Sequence, residues 1–358
     1  MGWVEIIKNY LRGFAVVKNK KWIGLLTAVL LISIILAACG KKEEVAVEKD
    51  EGTKSEAPKI TLRLADNQPA DYPTVIGDQK FAELVSEKSD GRITIEVFPS
   101  GQLGDEKSVL EQVQLGAIDF ARINASPLAE FNDDFTVFSV PYLFNSDEHL
   151  WNFLNGEKGT DLLDGLQAAK MQGLAYYDSG SRSFYSTKPL TSMEDLKGQK
   201  IRVQQSEINI KLMEALGASA TPMPYGEVFS GLQTGIIDGA ENNLPSFDSS
   251  NHYQEAKYLI MDHHTRVPEV LLMSKTAWEK LSDEDKELIK QAALESVDTQ
   301  RQAWADYEEK SLKTLNDAGV TITEVEDITP WQEAVKPIVD GFSKDYPELV
   351  EAINSANP

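Results

Sequence analysis

Polar side chains gather in this sequence where apolar stretches end, and their chemistry is that of gripping a polar anion. Asp66, Asn67 and Gln68 follow the alternation Ile60-Thr61-Leu62-Arg63-Leu64-Ala65, where they can reach ligand hydroxyls. Arg122 and Asn124 stand in the tail Phe120-Ala121-Arg122-Ile123-Asn124, and Asn242 in Gly239-Ala240-Glu241-Asn242-Asn243. An asparagine donates and accepts at once, as a polyhydroxy ligand requires, and it serves turns equally well. Arg202 lies between Ile201 and Val203 in a run that reads as strand, so buried backbone fixes its place. A guanidinium so held offers two parallel hydrogen bonds to a carboxylate and stays charged at any working pH. Taken alone, a solvated surface arginine is the other reading. Tyr225 reads as the wall of a cleft or as a core aromatic.

Bond-making chemistry finds little support. The sequence contains no G-x-S-x-G elbow, S-x-x-K, phosphate-binding loop, G-x-G-x-x-G or H-E-x-x-H. Among the histidines, the adjacent pair His263-His264 faces opposite sides of a strand and does not read as a metal site. No enzyme, cofactor or metal is expected. The formal net charge of −22 argues against nucleic acid as a partner. Salt confines such a field to roughly 8 to 10 Å, so an anionic ligand can still bind where arginines are placed locally.

The elements that position these residues alternate strand and helix. Ile60 to Ala65, a helical pattern around Phe81, Leu84 and Val85 that stops at Gly91, and Ile93 to Phe98 form one unit. Asp105 can cap a helix through Val109, Leu110 and Val113, with Gly116 after its end and a strand from Ala117 to Arg122. This predicts an α/β lobe with a mainly parallel sheet. The run Val113-Gln114-Leu115-Gly116-Ala117-Ile118-Asp119 is echoed by Leu232-Gln233-Thr234-Gly235-Ile236-Ile237-Asp238, as expected of two lobes built alike. The tails of both junctions lie at strand carboxyl ends, where α/β sheets place ligands. Later, Ser282-Asp283-Glu284-Asp285 reads as a capping box opening an uninterrupted helix to Asn316. At about 1.5 Å per residue it spans roughly 50 Å, enough to brace two lobes.

The N-terminus has the layout of a secretory signal: Lys18, Lys20 and Lys21 before an apolar run from Trp22 to Ala38. Leu36-Ala37-Ala38-Cys39-Gly40 is similar to a bacterial lipobox, so residues 1–38 are expected to be a lipoprotein signal peptide and Cys39, the only cysteine, the lipidation site. Residues 39–58 are charged and nearly free of large apolar side chains, which predicts a flexible tether.

From Ile60 onward the sequence resembles the solute-binding subunits of tripartite ATP-independent periplasmic (TRAP) transporters, the DctP-like family. The resemblance is carried by Pro99-Ser100-Gly101-Gln102-Leu103-Gly104-Asp105, Val140-Pro141-Tyr142-Leu143, Leu196-Lys197-Gly198-Gln199-Lys200-Ile201-Arg202-Val203 and Thr221-Pro222-Met223-Pro224-Tyr225-Gly226-Glu227-Val228. It implies an α/β, two-lobed periplasmic-binding-protein-like fold with a central cleft and a long helix bracing both lobes. Lobe I is expected to hold 59–179 and about 268–303, lobe II 180–267 and about 304–358. It implies that Arg202 holds a ligand carboxylate, with Arg182, Asn242 and Tyr225 beside it. Small and large membrane permease subunits, driven by an ion gradient, are the implied partners, and the lipid would hold the receptor at the outer face of the membrane. The first-lobe position that is often acidic in sialic-acid binders is Asn124 here. Hexuronate is the expected ligand, partly because Ala240 to Ser246 and His263 to Val270 look like segments of uronate-associated members; a C4-dicarboxylate is the alternative, with Arg182 or Arg122 as its second cation.

Overall fold

A computed structural model describes residues 58–358. The leader, Cys39 and nearly all of the tether lie outside the described residues. Two sheets organise the chain. The first contains β1 (Ile60–Ala65), β2 (Ile93–Phe98), β3 (Phe120–Asn124), β4 (Met171–Tyr177) and β10 (Glu269–Ser274), in the order β2-β1-β3-β10-β4. The second contains β5 (Arg182–Ser186), β6 (Lys200–Val203), β7 (Ser219–Pro222), β8 (Gly239–Asn242), β9 (Tyr258–Thr265) and β11 (Thr321–Glu324), in the order β11-β9-β5-β8-β6-β7. The helices used below are α1 (Pro73–Lys88), α2 (Glu106–Gln114), α3 (Asp147–Leu154), α4 (Glu207–Ala215), α5 (Leu244–Ser249), α6 (Asp283–Asp317), α7 (Thr329–Asp345) and α8 (Pro347–Ala356).

Strand alternation sorts side chains onto two cores per sheet. Val270 and Leu272 of β10 join one core and Leu271 and Met273 the other, and Phe184 and Tyr185 of β5 divide likewise. Both faces are thus covered, which accounts for the nearly unbroken apolar runs of these strands.

The sheets are mixed, where the sequence led us to expect mainly parallel ones. β1 pairs parallel with β2 and β3, but β10 runs antiparallel between β3 and β4. In the second sheet β5 is antiparallel to both β8 and β9. The reason lies in the two crossings. The chain leaves the first sheet through 178–181, between β4 and β5, and returns through 266–268, between β9 and β10, and the strand that enters each sheet after a crossing, β5 or β10, runs against the rest of that sheet.

Helix α6 begins where expected, capped by Ser282 Oγ, which accepts from the Asp285 N–H at 3.1 Å. Its 35 residues pack on α1 and β4 of the first lobe and on α5 of the second. Ile289 and Ala292 enter a first-lobe core, and Leu315 a second-lobe core. The C-terminal segment, expected in lobe II from about 304 onward, packs on both lobes: Trp331 and Val335 of α7 join a second-lobe core, whereas Phe342, Leu349 and Ile353 join a first-lobe core, and the Ile353 carbonyl hydrogen bonds His149 of α3 at 2.8 Å.

The echoed junctions are alike in conformation. Gly116 and Gly235 both take left-handed backbone, φ +73° and +71°, which only glycine adopts without strain. β3 starts at Phe120 rather than Ala117, so the segment read as the tail of the first junction is itself the strand.

Candidate functional site

The carboxyl ends of β1, β3, β6 and β8 converge between the lobes. An inner pocket of about 20 Å³ is lined by Asn67, Gln68, Arg122, Asn124, Arg182, Arg202, Tyr225 and Asn242, with Glu106, Gln204 and Glu269. It adjoins an outer cavity of about 340 Å³ that shares Asn67, Glu106, Arg202, Gln204 and Tyr225. Of the residues expected from sequence, only Asp66 stays off this lining. It lies beneath, buried, accepting from the Gln68 N–H at 2.7 Å and from Thr74 Oγ1 at 2.9 Å.

The three arginines differ in what they have left to give. Arg122 is 2% exposed and fully engaged. Nε donates to Asp66 Oδ2 at 2.9 Å, Nη1 to Glu269 at 2.7 Å and to Glu106 at 3.4 Å, and Nη2 to Asn67 Oδ1 at 2.6 Å and to Asp66 Oδ1. Arg182 pairs with the Glu241 carboxylate through Nε and Nη2, and with Asn242 Oδ1 at 2.8 Å. Burial pushes the Glu241 carboxyl up, but Arg182 and then His264 outweigh it and hold the group at about 2.

Arg202 has no such partner. Ile201 and Val203 point into a second-lobe core, so the intervening side chain faces the other way, towards the cleft. It is 4% exposed, and Nε and Nη2 both donate to the Met223 carbonyl, at 3.0 and 2.8 Å. Among the described residues no carboxylate lies within ion-pair distance of it, and Nη1 donates to nothing. The Tyr225 ring is 5.9 Å away, its hydroxyl tied to the Ser246 carbonyl at 3.1 Å. Burial lowers the pKa of Arg202; Glu241 opposes that and Arg182 adds to it. A buried cation without a counter-ion is costly, and an anionic ligand is what relieves that cost.

The amides complete the lining. Asn124 Oδ1 caps the turn that follows, accepting from the Ser126 N–H at 3.1 Å, and Nδ2 donates to Glu269 at 2.9 Å, so its main work is structural. Asn242 Oδ1 is taken by Arg182 and the Asn243 N–H, while its Nδ2 makes no hydrogen bond among the described residues. Gln68 Oε1 and Gln204 Oε1 are buried without a partner among the described residues. Gln204, Glu106 and Glu269 were not read as site residues. Gln204 was detectable in principle, two residues beyond Arg202 and just past the end of β6, where continued alternation turns it to the same side; Glu106 sits behind the Asp105 cap, where a helix start accounts for an acid without further reason.

The family model of the bacterial extracellular solute-binding proteins, family 7 (DctP), matches residues 64–345. The chain belongs to this family. A solute-binding protein of Chromohalobacter salexigens is 38% identical over 282 residues, 78% of this chain and 84% of the relative. A TRAP periplasmic solute binding protein of Xanthobacter autotrophicus, solved with bound β-D-galacturonate, is 45% identical and superposes with TM-score 0.79 over 82% of this chain and 98% of its own. Another, from Pseudomonas putida and solved with bound D-glucuronate, is 38% identical with TM-score 0.80, covering 82% and 96%.

In this solute-binding protein a polar network ties the cleft to the crossing strands. His264 Nδ1 lies 3.0 Å from Asp262 Oδ2 and Nε2 lies 3.5 Å from Glu241 Oε2, with the ring stacked on Phe184. Tyr142 of the first lobe donates its hydroxyl to Asp262 at 3.0 Å and its N–H to the His264 carbonyl at 2.7 Å. Burial lowers the His264 pKa, but Asp262 and then Glu241 raise it from the ordinary 6.5 to about 9. A pKa raised by folding contributes stability that is complete below pH 6.5 and lost as pH climbs through 9. The shift corresponds to on the order of 3 kcal/mol. Urea midpoints of the ligand-free protein should therefore fall over this interval, and His264→Gln should flatten that slope; an equally steep slope in the variant would assign it to other groups.

Proposed function

We propose that this protein is the extracytoplasmic receptor of a TRAP transporter and that it captures a hexuronate, glucuronate or galacturonate, by its carboxylate. The observation that carries the reading is Arg202, a buried guanidinium facing the cleft without a carboxylate partner among the described residues. Asn242 Nδ2, with no hydrogen bond among the described residues, and the Gln68 and Gln204 Oε1 atoms, unpartnered among them, supply donors and acceptors for sugar hydroxyls. The outer cavity, at about 340 Å³, falls within the range of small-ligand sites, roughly 300 to 1,000 Å³. A C4-dicarboxylate would need a second free cation opposite Arg202, and Arg122 and Arg182 are already paired. That two solved relatives hold galacturonate and glucuronate supports the same choice.

A ligand bridging the lobes favours the closed form over the open one by its differential affinity. On this reading the loaded receptor delivers its cargo to small and large permease subunits, while a lipid on Cys39 keeps it at the outer face of the membrane. Cys39→Ala should then move the protein from the membrane fraction to the soluble one, and unchanged fractionation would remove the lipid from the account. The ligand is tested by a thermal-shift screen against uronates, aldonates, sialic acid, C4-dicarboxylates and keto acids, since a ligand specific to the folded state raises its stability. A selective rise with one hexuronate is expected. A rise with succinate or malate alone would install the C4-dicarboxylate instead.

A further inference from the structure

We infer that the first-lobe wall of the cleft is an electrostatic gate against a second carboxylate, with Glu106 as its deciding residue, so that the receptor takes monoanionic sugar acids and turns away aldarates. The inference rests on the sugar-acid reading of the site and adds to it the end of the ligand that Arg202 does not hold.

The gate follows from the uneven charge of the two walls. On the second-lobe wall, Arg202 has no ion partner among the described residues, whereas Glu241 neutralises Arg182. On the first, Arg122 meets three carboxylates, those of Asp66, Glu269 and Glu106. Asp66 is buried beneath the lining, and both Glu269 oxygens are occupied, by Asn124 Nδ2 and Arg122 Nη1. Glu106 differs. Its Oε1 accepts from the Asn124 N–H at 3.1 Å and from Arg122 Nη1 at 3.4 Å, while Oε2 has no partner among the described residues. With its side chain 17% exposed, Glu106 lines both pockets together with Arg202. A ligand whose carboxylate sits on Arg202 thus presents its other end to a free carboxylate oxygen. A hydroxyl there can donate to it; a second carboxylate has no proton to give and meets like charge.

The strength of the gate depends on pH. Burial raises the Glu106 pKa; Arg122 opposes this, Glu269 adds to it, and the Asn124 N–H and Arg202 oppose it again, leaving the carboxyl at about 7. The adjacent Lys107 pairs away with Glu130 at 3.1 Å. Ligand carboxyls stay ionised across this interval. Rejection of a dianion should be full above pH 7 and relax below it as Glu106 gains a proton.

Calorimetric titration of the receptor with D-galacturonate, galactonate and galactarate separates the possibilities, because galactonate and galactarate are both linear and differ by the second carboxylate. We expect galacturonate to bind, and galactarate to bind roughly 100-fold more weakly than galactonate at pH 8, with the gap narrowing at pH 6. Glu106→Gln keeps an acceptor for the Asn124 N–H and should recover most of that gap and abolish its pH dependence. Equal binding of the two linear acids by the wild type at pH 8 would overturn the gate, as would an E106Q variant with no gain for galactarate. If the variant fails to fold, the wild-type pH series decides: a gap that does not change between pH 8 and 6 rejects the assignment to Glu106. Failure of both galacturonate and glucuronate to bind would strike the sugar-acid reading, and the gate with it.

Discussion

Arg202→Ala is expected to weaken hexuronate binding by about 2 to 5 kcal/mol, the range for truncating one partner of a buried charge pair. That is roughly 30-fold to several thousand-fold in dissociation constant. The ligand-free protein should melt no lower than wild type, because the variant removes a buried cation that has no ion partner among the described residues. Arg202→Lys should recover only part of the loss, since a lysine cannot hold the Met223 carbonyl and present a planar fork at once. Calorimetry with glucuronate and galacturonate, alongside melting without ligand, checks both halves. Wild-type affinity in Arg202→Ala would take this residue out of the site.

Arg122→Ala should give the opposite signature. The same substitution in a cleft-lining arginine would leave Asp66 and Glu269 as buried carboxylates facing Glu106 without their cation. Breaking a buried ion pair from one side costs about 3 to 5 kcal/mol, a large fraction of a domain's net stability of about 5 to 15 kcal/mol. The urea midpoint of the ligand-free variant should drop sharply, and part of the loss should return on acidification, as the orphaned carboxylates take up protons. A variant as stable as wild type, with affinity alone reduced, would mean that Arg122 serves the ligand more than the fold.

The contrast between these arginines marks what could be read in advance. Arg202 was legible because its neighbours Ile201 and Val203 demand a buried strand, and alternation then forces the side chain between them out of the core. The Asp105 and Ser282 caps and the two glycine junctions were legible for the same reason, each being a local pattern. The engagement of Arg122 and Arg182 was not. Their partners lie 56 and 147 residues away in one case and 59 in the other, and nothing in the local pattern announces them. Glu269 faces Asn124 because β10 enters the first sheet from the far side of the second lobe, a non-local event that also defeated the expectation of mainly parallel sheets. The fold class could be read from periodicity, whereas the division of labour among like residues could not.

The placement of β10 also bears on the order in which the protein can fold. Residues up to Tyr177 supply every strand of the first sheet except the one between β3 and β4, and that strand follows β5 to β9 in the chain. A nascent chain therefore carries an unfinished sheet, with open edges and uncovered apolar faces, until most of its length has been made. Such long-range pairing is slow, and for a protein of an extracellular family slowness is useful, since a chain that cannot fold early stays threadable for export. The strand that completes the sheet also brings Glu269 to Arg122, so this wall of the cleft is complete only once that late-made strand is in place.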